Sequence, residues 1–123
     1  MLLDTHVVLW WLAADPSLAQ RARAAIAAPR ASVFVSAASA WEISIKRALG
    51  KLVAPDDLAE QLAAHRFDEL AITIAHASAA GALPPHHSDP FDRMLVAQAL
   101  AEDLTVVTRD PRFALYGVPT LTA

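Results

Sequence analysis

Residues 32–50 read SVFVSAASAWEISIKRALG, and two periodicities meet inside that run. Residues 32–35 are β-branched and aromatic, which predicts a strand. Ser36 or Ser39 then caps a helix in which Trp41, Ile45, Ala48 and Leu49 form one apolar stripe before Gly50 ends it. The same alternation recurs on both sides. Upstream, residues 1–5 suit a buried strand and residues 6–14 a helix. Asp15-Pro16 reads as a further helix start, followed by Leu18, Ala22, Ala25 and Ile26 at helical spacing and closed by Pro29.

Downstream, Pro55-Asp56 opens a helix with Leu58 and Leu62 one turn apart. Residues 70–74 are a third strand candidate and residues 76–81 a short helix. Pro84-Pro85 interrupts the pattern. Asp89-Pro90 repeats the Asp-Pro start ahead of a helix over residues 91–103, and residues 104–108 form an apolar strand. Asp110-Pro111 makes a turn or short helix. Residues 118–121 follow as an edge strand behind Pro119. Strands separated by helices require right-handed crossovers and a mainly parallel sheet covered on both faces. The expected fold is a three-layer α/β/α sandwich, in one domain over residues 1–123.

Composition agrees with a packed domain. The chain has 123 residues, 55% hydrophobic and 19% charged, with a mean hydropathy of +0.35, so a disordered or fibrous chain is excluded. It contains no cysteine, which removes disulfides, thiolate nucleophiles and cysteine-based zinc sites. No apolar run approaches the roughly 18 residues that span a bilayer. The start, MLLDTH, lacks the basic segment of a secretion signal, and the expected location is the cytoplasm. The formal charge is −3, without the basic excess that usually marks nucleic-acid binding.

In a parallel sheet, ligand chemistry collects beyond the C-terminal strand ends. Asp4 ends the first strand. Ser36 ends the second, with Glu42 nearly two turns into its helix. Asp89 and Asp92 open the helix before the fourth strand, and Thr108 and Asp110 end that strand. Each acid also has a local explanation. Asp4 suits a helix N-cap, Ser39-x-x-Glu42 a capping box, and Glu42 can pair with Lys46 at i+4. Asp89 and Asp92 suit N-cap and N3 positions, where a helix dipole favours carboxylates. Asp110 before Pro111 suits an Asx turn. Jointly, so many like charges at one edge repel unless something neutralises them. An all-oxygen set suits Mg²⁺ or Mn²⁺, and such ions promote hydrolysis of a phosphodiester.

The stretches LLDTHVVLWWL (residues 2–12), SVFVSAASAWEISIK (32–46), HHSDPFDRMLVAQAL (86–100) and VVTRD (106–110) together resemble a PIN-domain ribonuclease of the VapC toxin type, over essentially the whole chain. The resemblance implies an endoribonuclease with an acidic quartet and Mg²⁺ or Mn²⁺. By position the quartet is Asp4, Glu42, Asp92 and Asp110. It makes Asp4 and Asp92 the expected direct ligands, with Glu42 and Asp110 acting through water or on a second ion. Ser36 and Thr108 match hydroxyl positions that orient water or ligands, and Asp89 is a secondary candidate. It also implies an RNA substrate, a homodimer and an inhibitory VapB-like antitoxin.

Other residues fit this reading unevenly. Lys46, Arg47, Lys51, Arg93, Arg109 and Arg112 lie near the acids in sequence and are candidates for phosphate contacts or for an ordinary solvated face. His86-His87 sits in a Pro-rich loop, where adjacent histidines are expected to be solvated. Trp10 and Trp11 cannot share one helical face equally, so one is a candidate for an interface.

Three competing functions are distinguishable. A response-regulator receiver needs a lysine ending a late strand, but the only lysines are Lys46 and Lys51. A haloacid-dehalogenase-type phosphotransferase wants Asp-x-Asp where this chain has Asp4-Thr5-His6. A catalytically silent PIN-like binding module would keep the fold without a saturable metal site.

Overall fold

The computed structural model describes residues 1–123. Five strands form one sheet: β1 (Leu2–Leu3), β2 (Phe34–Ser36), β3 (Asp68–Leu70), β4 (Val106–Thr108) and β5 (Thr120–Thr122). Their order is β3-β2-β1-β4-β5, and all four neighbouring pairs are parallel. The helices are α1 (Thr5–Leu12), α2 (Gln20–Ala27), α3 (Ala37–Ala48), α4 (Leu58–Ala64), α5 (Ile74–Ala82) and α6 (Pro90–Glu102), with a 3-10 helix at Pro111–Tyr116. The expected α/β/α sandwich is therefore present.

The pleat explains how such short strands organise two cores. Successive side chains on a strand point to opposite faces. Leu2 and Val106 pack on one face with Ala38, Leu95, Val96 and Phe113. Leu3 and Val107 pack on the other with Val7, Val8, Leu18, Ile26 and Ile43. β1 and β4 are buried on both sides, which is why they read as uninterrupted apolar runs.

Where the structure departs from the expected boundaries, pairing or caps prevail over local pattern. The second helix begins at Gln20, not at Asp15-Pro16. Asp15 instead accepts the Ser17 N–H at 2.8 Å, closing a turn. β3 lies at Asp68–Leu70, ahead of the apolar residues 71–74. It is an edge strand fixed by its ladder to β2, with Phe34 opposite Asp68, so its outer residues stay polar. In α3 the buried residues are Ala38, Ser39, Glu42 and Ile43, while Trp41 and Leu49 of the expected stripe are 62% and 63% exposed. A count of apolar residues cannot find a helix that turns a serine and a glutamate inward. Gly50, at φ +71°, ends that helix in the left-handed conformation glycine adopts freely.

The chain builds outward from β1 to β2 and β3, then returns to place β4 on the other side of β1. The strand order reverses between β1 and β4, and the crevice beyond their C-terminal ends is where such folds bind ligands. Asp4 and Thr108 stand at that crevice.

Candidate active site

Asp4 follows β1 directly and caps α1. Its Oδ1 accepts the Thr5 N–H at 2.7 Å, and its Oδ2 accepts the Thr108 hydroxyl at 2.8 Å. Thr108 ends the neighbouring strand, and its own oxygen accepts the Asp110 N–H at 3.0 Å. Parallel pairing of β1 with β4 thus fixes Asp4 from two sides. The carboxylate is 8% exposed, and burial raises its pKa despite those hydrogen bonds. The capping role and the site role coexist.

Glu42 reaches the same place from α3, at 4% exposure. Its Oε1 accepts the Thr5 hydroxyl at 2.8 Å. Thr5 also lies 3.0 Å from the Ser39 hydroxyl. A hydroxyl has one proton, so Ser39 donates to Thr5 and Thr5 donates to Glu42. Its Oε2 accepts from Lys46 Nζ at 2.5 Å, the expected i+4 pair. That bond raises the Lys46 pKa. Ser39 is therefore a positioning group within the helix, and Ser36 is the N-cap.

Asp89 caps α6, accepting the N–H groups of Phe91 at 2.8 Å and Asp92 at 3.1 Å. Asp92, in the first turn, has its pKa pushed up to about 8, chiefly by burial and then by the charges of Asp4, Asp89, Glu42 and Asp110. Asp110 is pushed down to about 2, first by its hydrogen bonds from Arg112. The Arg112 guanidinium reaches both Asp110 oxygens, at 3.0 Å and 2.8 Å, a charge-assisted fork. Between these acids stands His87. Its Nε2 lies 2.8 Å from Asp92 Oδ2 and 3.1 Å from Asp110 Oδ2.

These groups line one cleft of about 440 Å³, together with His6, Trp10, Lys46 and Arg109. Arg109 lies over the Trp10 ring, 4.4 Å from its centroid, and Trp10 is thereby a wall of the cleft. Trp11 instead packs against Phe67 and His65. The donors are mainly carboxylate oxygens, with the His87 imidazole among them and a net excess of negative charge facing the cleft. That chemistry fits Mg²⁺ or Mn²⁺.

Asp4, Glu42, Asp92 and Asp110 come together as expected, and Thr108 joins them through Asp4. Ser36 does not. Its hydroxyl caps α3 through the Ala38 N–H at 3.0 Å and donates to Gln98 Oε1 at 2.5 Å. It borders a separate groove beside α4, because β2 lies on the far side of β1 from the β1–β4 boundary where Thr108 meets Asp4. The expected solvation of His87 is also wrong, since it is 5% exposed. Only its place two residues before Asp89 hinted at this. Among the basic candidates, Lys46, Arg109 and Arg112 line the cleft. Arg47 pairs with Asp56, and Arg93 donates to the carbonyls of Ala80, Leu83, Pro84 and His87. Thr5 escaped the sequence reading because its partner lies 37 positions away.

Residues 1–118 match the PIN domain. Ribonuclease VapC22 of Mycobacterium tuberculosis is 32% identical over 124 residues, covering 97% of this chain and 93% of that protein. The fold is similar to VapBC2 from Rickettsia felis bound to a promoter DNA fragment, with a TM-score of 0.71 and 15% identity over 98% of this chain and 96% of that one. A toxin–antitoxin complex from Klebsiella pneumoniae gives a TM-score of 0.67 and 21% identity over 98% of this chain and 95% of the other. FitAcB from Neisseria gonorrhoeae gives 0.67 and 22% over 98% and 96%. With the motif order, the acidic cleft and the domain match all in agreement, this chain belongs to the PIN-domain family.

Proposed function

We propose that the chain is a divalent-cation-dependent endoribonuclease of the VapC toxin type. Its cleft would hydrolyse RNA phosphodiester bonds, with Mg²⁺ or Mn²⁺ as cofactor. The observation that carries this reading is the convergence of Asp4, Glu42, Asp89, Asp92 and Asp110, drawn from distant parts of the chain, on one cleft. The identity to a ribonuclease over nearly the whole chain supports it.

Asp4 and Asp92 would hold the cation most directly, with Glu42 and Asp110 completing the acidic set. When bound, the cation supplies acidified water and neutralises charge on the scissile phosphate. The chain's own residues prepare that chemistry. Thr108 and the α1 N-terminus fix Asp4, while Thr5 and Lys46 fix the two oxygens of Glu42. Lys46, Arg109 and Arg112 line the cleft and would meet flanking phosphates. Such a local basic rim would reconcile RNA binding with a formal charge of −3.

The reading extends to a homodimer held inactive by a VapB-like antitoxin and working in the cytoplasm. The K. pneumoniae neighbour is itself a toxin–antitoxin complex, and no helix here is long and apolar enough to cross a membrane.

The test is cleavage of total cellular RNA by the purified chain in Mn²⁺, with EDTA and Asp92→Asn as matched controls. Discrete fragments that vanish in both controls support the nuclease. A folded chain that cuts nothing and shows no saturable Mn²⁺ binding would instead be the silent module.

A further inference from the structure

We propose that His87 is a positioning residue of the acidic cleft: a proton on its Nε2 is donated to Asp110 and holds that carboxylate in place beside Asp92, and the ring is not itself a metal ligand. This rests on the metal-nuclease reading above. Nε2 contacts Asp92 Oδ2 at 2.8 Å and is hydrogen-bonded to Asp110 Oδ2 at 3.1 Å. One nitrogen therefore sits between two acids that arrive on different elements. His87, Asp92 and Asp110 each offer a ligand atom, all within 4.8 Å of one another, so a three-ligand metal site is the rival arrangement.

The far side of the ring decides between them. Nδ1 lies 3.2 Å from the Asp89 backbone nitrogen and accepts its N–H. A backbone amide only donates, so Nδ1 bears no proton and the neutral ring carries its proton on Nε2. A protonated ring nitrogen has no lone pair for a cation. Moving the proton to Nδ1 would set two donors against each other beside a residue that is 5% exposed, with little water to separate them.

The loop also holds the ring in register. The His87 N–H donates to the Tyr116 hydroxyl at 2.9 Å, and that hydroxyl donates to the Pro84 carbonyl at 2.8 Å. The Phe113 ring meets His87 edge-on at 6.3 Å between centroids. Asp110 is then held by Arg112 on one side and His87 on the other.

The experiment titrates the full chain with Mn²⁺, reading free ion by electron paramagnetic resonance and nitrogen coordination by electron spin-echo modulation. Wild-type protein should show no directly coordinated ¹⁴N. His87→Ala should weaken Mn²⁺ binding by about 10- to 100-fold, the usual effect of removing a group that orients ligands. His87→Gln places an amide N–H near the Nε2 position and should stay within about 3-fold of wild type. Thermal unfolding checks that both variants fold. If His87→Ala does not fold, the wild-type echo signal and His87→Gln decide.

Directly coordinated ¹⁴N in the wild type would overturn the proposal, as would a folded His87→Ala that binds Mn²⁺ normally. Equal loss in both variants would overturn the donor role. Wild-type chain that binds no Mn²⁺ would remove the metal reading and this inference together. Mn²⁺ binding that follows the expected pattern without RNA cleavage would count against the nuclease alone.

Discussion

Asp92 and Asp110 sit against the same histidine yet are pushed in opposite directions, to about 8 and about 2. Asp110 has Arg112, whereas Asp92 has burial and other carboxylates around it. For Asp92 the folded value exceeds the ordinary 3.8, so the native state keeps a proton that the unfolded chain releases. The metal-free fold therefore loses stability as pH rises from about 4 towards about 8. Asp92→Asn should remove that loss. It is expected to raise the melting temperature of EDTA-treated protein at pH 8 by about 3–6 °C, on the order of 1 kcal/mol, while abolishing cleavage. Melting curves at pH 5 and pH 8 check the sign, since the gain should shrink at the lower pH. Asp110 contributes in the opposite sense: its stabilisation is complete above the ordinary carboxylate range and is lost as pH falls from about 4 to about 2.

At the scale of the element, α3 carries two kinds of polar residue with different duties. Glu42 faces the cleft, and Ser36 caps the helix while donating to a fully buried Gln98. Gln98 in turn donates to the Ala71 carbonyl at 3.3 Å, tying α6 to the segment after β3. Ser36→Ala removes a cap and leaves a buried amide oxygen without its donor. The expected cost is about 1–3 kcal/mol, read as a lower urea midpoint, with the cleavage rate of the folded protein retained. Loss of cleavage in fully folded Ser36→Ala would restore Ser36 to the catalytic set. Thr5→Val is the complementary case. It removes the donor to Glu42 Oε1, and cleavage should fall by about 10- to 100-fold, measured alongside Mn²⁺ affinity.

Over the whole molecule, acids and bases meet in one cleft, where Lys46 pairs with Glu42 and Arg112 with Asp110. The acids line the cleft, and Lys46, Arg109 and Arg112 share its wall. RNA affinity should therefore fall with salt although the net charge is negative. Arg109→Ala is expected to reduce the slope of log affinity against log salt by about 0.7, the single-strand value for one phosphate contact. Binding of a labelled RNA to Asp92→Asn protein across a salt series measures this without turnover. The sheet that carries the cleft depends on both apolar layers. Leu95 is fully buried beneath it, and Leu95→Ala should cost about 2–5 kcal/mol, read by denaturant unfolding.

The sequence by itself determined the layer order and most of the acidic set. Apolar strands at residues 1–5 and 104–108 alternate with helical spacings, and parallel connection sends every strand's C-terminal end to one edge. Asp4, Asp92 and Asp110 were legible because they stand next to strand or helix ends, where position in the chain fixes position at the edge. Tertiary structure alone decided the contacts that bridge distant segments. Thr5 reaches Glu42, Thr108 reaches Asp4, and His87 reaches Asp92 and Asp110 only after the strands take the order β3-β2-β1-β4-β5. Ser36 looked equivalent to Thr108, since both end a strand. Thr108 meets Asp4 at the boundary where the strand order reverses, while Ser36 meets Gln98 inside the core. Local pattern specifies which residues end elements; hydrogen bonding between elements specifies which of those residues meet.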